Sequence, residues 1–382
     1  MLKSKNLFLL KSPKLRYLNM KRNPAVELIR IWGSLLVLLC HTNFMLNLDM
    51  SHSSLKVFYN CVCSDPVAIF WLITGFYIFS NDDYIKLWKH TAKKILIPAA
   101  LLYLFYFYLG DFVIYGSRFT DSILKDSASY KSFFYSIFTL YPPLHGVNHT
   151  WYIFSYILVI LFYPMWKGIA DYLDKDKKRE NVFLVISFIL LFLNDCLANR
   201  MLGFSFHGMG VLIPSGIFML WGHIIYKRRE AFKKRYILIL APVLFIALNL
   251  FRTLLIQTVY VPVASEYALN TWQTWIGLLI AILFVAFSFS AVDETKDSKC
   301  NRIICLIATF TFPYYLVHPV FVDIMEYRGI YALSLDYLIS HFGAYLGSAI
   351  FMVAGTLALI IFVTIFELIK RGILRLFKNT QK

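Results

Sequence analysis

Residues 25–44 read AVELIRIWGSLLVLLCHTNF. A membrane-spanning helix needs about 20 predominantly apolar residues, and this stretch has that length and character. It nevertheless carries Glu27, Arg30 and His41. A helix turns about 100° per residue, so the step from Arg30 to His41 falls about 20° from three full turns. The two side chains therefore share a face, about 16 Å apart along the axis at about 1.5 Å per residue. Glu27 and Ser34 lie near the same face, so a polar stripe runs along an otherwise apolar helix.

Residue types alone leave two readings of that stripe. Arg30 could snorkel to the lipid headgroups and His41 could be a satisfied interhelical hydrogen-bond partner. Ionisable groups at membrane depth are costly, however, and by default mark functional sites. Histidine titrates near neutral pH and suits proton transfer. Arginine is permanently charged and forks onto phosphate or carboxylate. A phosphate-bearing donor held near Arg30 could deliver a group towards His41, which fits a transferase better than a simple channel.

The rest of the chain is equally apolar. Of its 382 residues 59% are hydrophobic, and the mean hydropathy is +0.62. Soluble domains run about 45–50% apolar. Long apolar runs recur without the alternation of a membrane β-barrel. The expected fold is therefore an all-α polytopic membrane protein of about ten transmembrane helices. The spans fall near 28–47, 57–79, 95–115, 151–166, 182–199, 209–226, 236–256, 272–292, 303–322 and 344–368. The short fourth span is preceded by LYPPLHGVNH, a candidate for re-entry at the membrane surface. No A-x-A site follows the basic N-terminal segment, so no cleaved signal peptide is expected. No span-to-span similarity supports an inverted-repeat transporter.

The net charge of +16 is a topology signal. With the N-terminus inside, 30 of the 38 Lys and Arg residues fall in inner segments. Only Lys56, Arg118, Lys125, Lys131, Arg200 and Arg328 fall outside, and Arg30 and Arg252 lie in spans. This split follows the positive-inside rule and predicts cytoplasmic termini in the cell membrane. The domain scheme is then a basic cytoplasmic segment (1–27), a ten-helix domain (28–368) and a basic cytoplasmic tail (369–382). The scattered charge favours contact with anionic membrane lipids over nucleic acid.

Other polar residues give weaker signals. Cys40, Cys61, Cys196 and Cys305 read as small membrane hydrophobes. Cys61-x-Cys63 lacks partner ligands, and no H-E-x-x-H motif accompanies His52, His145, His149, His207, His318 and His341, so no metal is expected. Arg252 and Asp195 are candidates for an interhelical ion pair, since charges at membrane depth need partners. His149 and Trp151 stand at the outer mouth of the fourth span. They read either as an interfacial pair or as a sugar-stacking wall with a hydrogen bond to an acceptor hydroxyl. His318, next to Pro319, reads either as a kink-associated hydrogen-bond partner or as a site residue. His223 reads as structural.

Several segments, taken in order, resemble one family. Arg30-x10-His41 is similar to the first-span signature of the membrane acyltransferase-3 family of O-acyltransferases. WLITGFYIF (71–79) resembles its second-span FFxxSGFxL, with Thr74 in place of the serine. KHTAKKILIP (89–98) stands where the family has an arginine-rich inner loop before a proline; here the cations are Lys89, Lys93 and Lys94. HTWYIFSYILVILFYP (149–164) and FTFPYYLVHPVF (310–321) resemble two later family segments. The resemblance implies a ten-helix enzyme that modifies cell-surface glycans with acyl-CoA, acetyl-CoA foremost. It implies catalytic roles for His41 and Arg30, and donor binding by Arg30, Lys89, Lys93 and Lys94. Acceptor binding would fall to His149, Trp151 and His318, with a glycan or lipid-linked glycan as partner. The lysines depart from the family pattern, because lysine binds phosphate as a point charge without the bidentate fork. A flippase, transporter or polymerase for a lipid-linked glycan is the alternative reading.

Overall fold

The computed structural model describes residues 22–46, 53–139, 149, 151–193, 212–260 and 274–379. Among these residues there is no strand. In chain order the helices are α1 (Pro24–Phe44), α2 (Ser53–Cys63), α3 (Pro66–Ile78), α4 (Tyr84–Thr91), α5 (Ile97–Tyr115), α6 (Phe119–Ile123), α7 (Ser127–Thr139) and α8 (Trp151–Leu161). They continue as α9 (Tyr163–Leu173), α10 (Lys177–Phe192), α11 (Leu212–Lys227), α12 (Ile237–Leu255), α13 (Trp275–Ala291), α14 (Lys299–Ile307), α15 (Thr311–Tyr327) and α16 (Ile330–Asn379), which is broken into two helical parts at Gly343 (φ 74°). Six helical stretches are long and apolar enough to cross a membrane, or seven if the bent pair α8–α9 is one span. The chain is an integral membrane protein. The count of ten spans remains an expectation.

Helix α1 starts where its local chemistry dictates. The Asn23 side chain accepts hydrogen bonds from the backbone N–H groups of Ala25 (3.0 Å) and Val26 (3.4 Å). Such a cap satisfies donors that the first turn leaves open. Pro24 follows at a position where its missing N–H loses nothing. From there α1 runs through the centre of the bundle and packs against α2, α3, α13, α14, α15 and α16. That placement explains why polar groups are tolerated on it: Glu27 and Ser34 of the stripe are buried among the neighbouring helices.

The tightest helix pair is α3 with α11. A Cβ on Gly75 would stand 1.9 Å from the Met219 carbonyl oxygen, and one on Gly222 would stand 2.1 Å from that of Leu72. Two glycines thus let the backbones touch, the small-residue packing typical of membrane helices. Gly75 is the glycine of the WLITGFYIF segment, so its presence there has a packing reason. Helix α12 is the opposite case. Its Ile239, Val243, Ile246, Leu250 and Leu254 form one exposed stripe, as a lipid-facing helix requires.

Two of the expected spans are interrupted. The span expected at 57–79 corresponds to one candidate crossing, Ser54–Ile78, but it is built of two helices, because Pro66 opens a new helix after a break at Ser64 and Asp65. The span expected at 151–166 is bent: α8 ends at Leu161, and α9 follows after a turn of 67° with Pro164 in its first turn. The expected pair of Arg252 with Asp195 falls on a residue outside the described ones, but Arg252 is bonded at the first of these breaks. It donates to the Asp65 carboxylate (2.9 Å) and to Ser64 Oγ (2.7 Å), all three buried. The Asp65 side chain does not cap α3. The break at 64–65 thereby supplies the counter-charge that a buried arginine needs.

The described parts of the basic segments are tied together by ion pairs at one end of the bundle. Glu180 binds Lys227 (2.5 Å) and Arg228 (2.6 Å), and Asp174 binds Lys227 (2.8 Å) and His223 (2.9 Å), a structural role for His223. Glu294 joins Arg229 (3.2 Å), Lys233 (2.9 Å) and the capping residue Asn23. Burial opposes ionisation of Glu180 and Glu294, but the cations outweigh it and hold both carboxyls below the usual range. The N-terminal end of α1 belongs to this basic end. At the other end of α1, the Asn43 amide bonds Asn60 of α2, and the Thr42 hydroxyl meets that of Thr356 on α16 at 3.3 Å.

Candidate active site

His41 sits one residue before Thr42, so the same ties that fix the end of α1 fix the histidine. Its ring centre lies 4.4 Å from that of His318 on α15, with the planes at 63°. His149, immediately before α8, lies 5.5 Å from His318 on another side. Three histidines far apart in sequence therefore converge on one place, where His41 is half-buried. His318 is fully buried and His149 is 8% exposed. A compartment this dry gives polar groups few alternatives to one another, which raises the strength of each interaction made in it.

The rings are held by the backbone. His318 Nδ1 stands 2.7 Å from the carbonyl oxygen of Tyr314. The Tyr315 hydroxyl donates to the His149 carbonyl at 2.7 Å, which ties the start of α8 to α15. Tyr314 in turn reaches Thr364 of α16 at 2.8 Å. Aromatic rings complete the wall: Tyr152 lies 6.1 Å from Tyr315 and 4.8 Å from Trp71. Trp151 connects to the cluster through Tyr152, at 6.3 Å.

Arg30 occupies the basic end of the same helix. Its guanidinium donates to Glu27 at 2.9 Å, and its side chain is about one-third exposed (36%), whereas the Glu27 carboxylate is buried. Glu27 therefore orients Arg30 and leaves part of the fork open. Lys89, at the end of α4, and Lys93 and Lys94, in the π-helical turn Ala92–Leu96, are all exposed. None of the three forms an ion pair with a described acidic residue. Their segment anchors through buried Leu87 and through Tyr84, which stacks on Tyr163 at 6.1 Å.

The structure thus brings together His41, His149 and His318, with Trp151 at one remove, and leaves Arg30 and the lysines at the basic end. His52, His145 and His207 lie outside the described residues. His341 is exposed and bonds the Tyr337 carbonyl at 2.8 Å, away from the cluster. Among the described residues no group of three His, Cys, Asp or Glu is arranged to hold a metal ion. The sequence reading overlooked Tyr315, Thr42, Asn43 and Asn60. A signal existed, since each is a hydrogen-bonding side chain beside a histidine or within an apolar helix.

A family model described as an acyltransferase domain matches residues 23–368. Neither a curated protein nor a solved structure matches the chain.

Proposed function

The chain belongs to the acyltransferase-3 family, and on that premise we propose that this membrane acyltransferase is an O-acyltransferase using acyl-CoA, acetyl-CoA foremost. The acceptor in this reading is a hydroxyl of a cell-surface polysaccharide or of its lipid-linked precursor. The observation that carries it is the polar stripe of α1, with an open arginine at the basic end and a histidine beside buried His318 and His149 at the other. A donor with charged phosphates and a long arm matches that polarity. Its phosphates would meet Arg30, Lys89, Lys93 and Lys94, and its thioester would reach His41.

Two routes fit His41. As a general base it would take the proton of the acceptor hydroxyl. As a nucleophile it would carry the acyl group on a ring nitrogen and split the transfer into two steps. On the acceptor side, His149 would hydrogen-bond the sugar and Trp151 and Tyr152 would offer faces to it. Arg30 would act mainly on the donor, so Arg30→Lys should restore only part of the binding, because the fork is lost.

The orientation in this reading puts the basic end in the cytoplasm of a cell membrane. Reporter fusions after residues 130 and 230 should then read outside and inside respectively. The reverse pair would place the donor on the wrong side.

The donor assignment has its own test. Lys89, Lys93 and Lys94 changed together to Gln should weaken acetyl-CoA binding to detergent-purified protein about tenfold or more at low salt. The difference should shrink in high salt, because exposed charges are screened beyond about a Debye length. Equal affinity of the triple variant and the parent at low salt would remove the lysines from the donor site.

A further inference from the structure

His318 differs from its two neighbours in how completely its chemistry is fixed. Its Nδ1 faces the Tyr314 carbonyl at 2.7 Å, with the Tyr315 carbonyl also in reach. The Tyr315 carbonyl is open because of the residue after His318. Pro319 has no N–H, so it cannot bond the carbonyl four residues back, which is that of Tyr315. A carbonyl oxygen only accepts, so Nδ1 must carry the hydrogen. In a neutral imidazole the other nitrogen is then an acceptor with a free lone pair. That nitrogen, Nε2, is buried and has no hydrogen-bond partner among the described residues. A buried polar atom left in this state is unusual and calls for an explanation.

We propose that His318 is the base of the transfer, taking the proton of the acceptor hydroxyl onto Nε2. This rests on the reading of the chain as an acyl-CoA-dependent O-acyltransferase. In the step, the hydroxyl oxygen forms a bond to the acyl carbon. The O–H proton passes to His318 Nε2. The acyl carbon's bond to its leaving atom breaks, and that atom takes the proton from His318. The leaving atom is the CoA sulfur, or a His41 ring nitrogen if the acyl group has passed there first. The backbone carbonyls stabilise the imidazolium that forms between these events, because its Nδ1–H still donates to them. His41, on the donor stripe and 4.4 Å away ring to ring, is left to hold or carry the acyl group.

The test separates a base from a packing residue. Asparagine at 318 keeps an amide N–H near the Nδ1 position and so keeps the carbonyl bond, but it has nothing at Nε2. In His318→Asn, ester on the cell-surface glycan, measured by NMR as alkali-labile signal at matched membrane expression, should fall about 100-fold or more, the usual loss on removing a general base. Acetyl-CoA binding by the purified full-length protein should be unchanged. The decisive readout is hydroxylamine as a surrogate acceptor. It attacks through a nitrogen lone pair and sheds its proton afterwards, so it does not need the base at the start. His318→Asn should still form acetohydroxamate from acetyl-CoA at a rate within about tenfold of the parent, as the 10²–10⁴ of base catalysis is not at stake. Near-normal glycan ester in His318→Asn would overturn the proposal. Loss of hydroxamate along with ester would also overturn it, by showing that the residue supports the whole site. A parent protein that makes neither product would instead overturn the acyl-CoA reading, and this inference with it.

Discussion

His41→Ala is expected to abolish ester formation while the protein stays inserted and folded. With His318 as the base, His41 carries the acyl group and its loss removes that route altogether; were His41 itself the base, its loss would cost about 10²–10⁴-fold. Folding should survive because the end of α1 is held by its neighbours: Thr42 with Thr356 and Asn43 with Asn60. The informative comparison is His41→Gln. If His41 served only as a hydrogen-bonding neighbour of His318, glutamine would preserve near-normal activity. If it reacts, glutamine would be as inactive as alanine, since an amide neither takes a proton nor carries an acyl group at neutral pH. Esterified glycan, measured at matched membrane expression, decides between them. Arg30→Ala should behave differently and recover in part at excess acyl-CoA, because its role lies in holding the donor. An active His41→Gln protein would reduce His41 to packing.

The second large effect concerns stability. Gly75→Ala adds a single carbon that would stand 1.9 Å from the Met219 carbonyl oxygen, so α3 and α11 must separate. The same holds for Gly222→Ala at Leu72, 2.1 Å away. Overpacking costs about 1–3 kcal/mol and sometimes more. These contacts are backbone, which cannot swing aside, so each variant should lose about 3 kcal/mol. Gly168→Ala on α9 is the control, because an added Cβ there meets nothing within 4 Å. Alanine is a better helix former than glycine by about 1 kcal/mol, so that variant should be stabilised slightly. Reversible unfolding in mixed micelles should therefore move in opposite directions for the two classes of the same substitution. Equal shifts would mean that α3 and α11 are not in backbone contact.

The effect reaches the site through the packing chain. Helix α3 carries Trp71, whose ring lies 4.8 Å from Tyr152, and Tyr152 leads to Tyr315 and the histidines. A shift of α3 would loosen the aromatic wall on which the cluster rests.

Much of this was legible in sequence because it depends on local quantities. Apolar length predicts a helical membrane protein, and the helical repeat alone places Arg30 and His41 on one face. The segment resemblances named the family to which the chain belongs. His41, His149 and His318 were each picked out singly, by residue type and position. Tertiary structure decided everything that required knowing which helices touch. It placed α1 at the centre of the bundle, brought the three histidines within 4.4–5.5 Å of one another through His318, and gave Arg252 to Asp65. The Asp65 pairing was hidden because a uniform apolar window over 57–79 conceals the break at Ser64. The bend at Phe162 was hidden in the same way, since Pro164 fits both a kinked span and a new helix. Hydropathy reports the solvent each residue prefers, and inside a membrane every helix prefers the same one. Neighbours are then chosen by shape and by the few polar groups that must find partners, and those pairings exist only once the chain has folded.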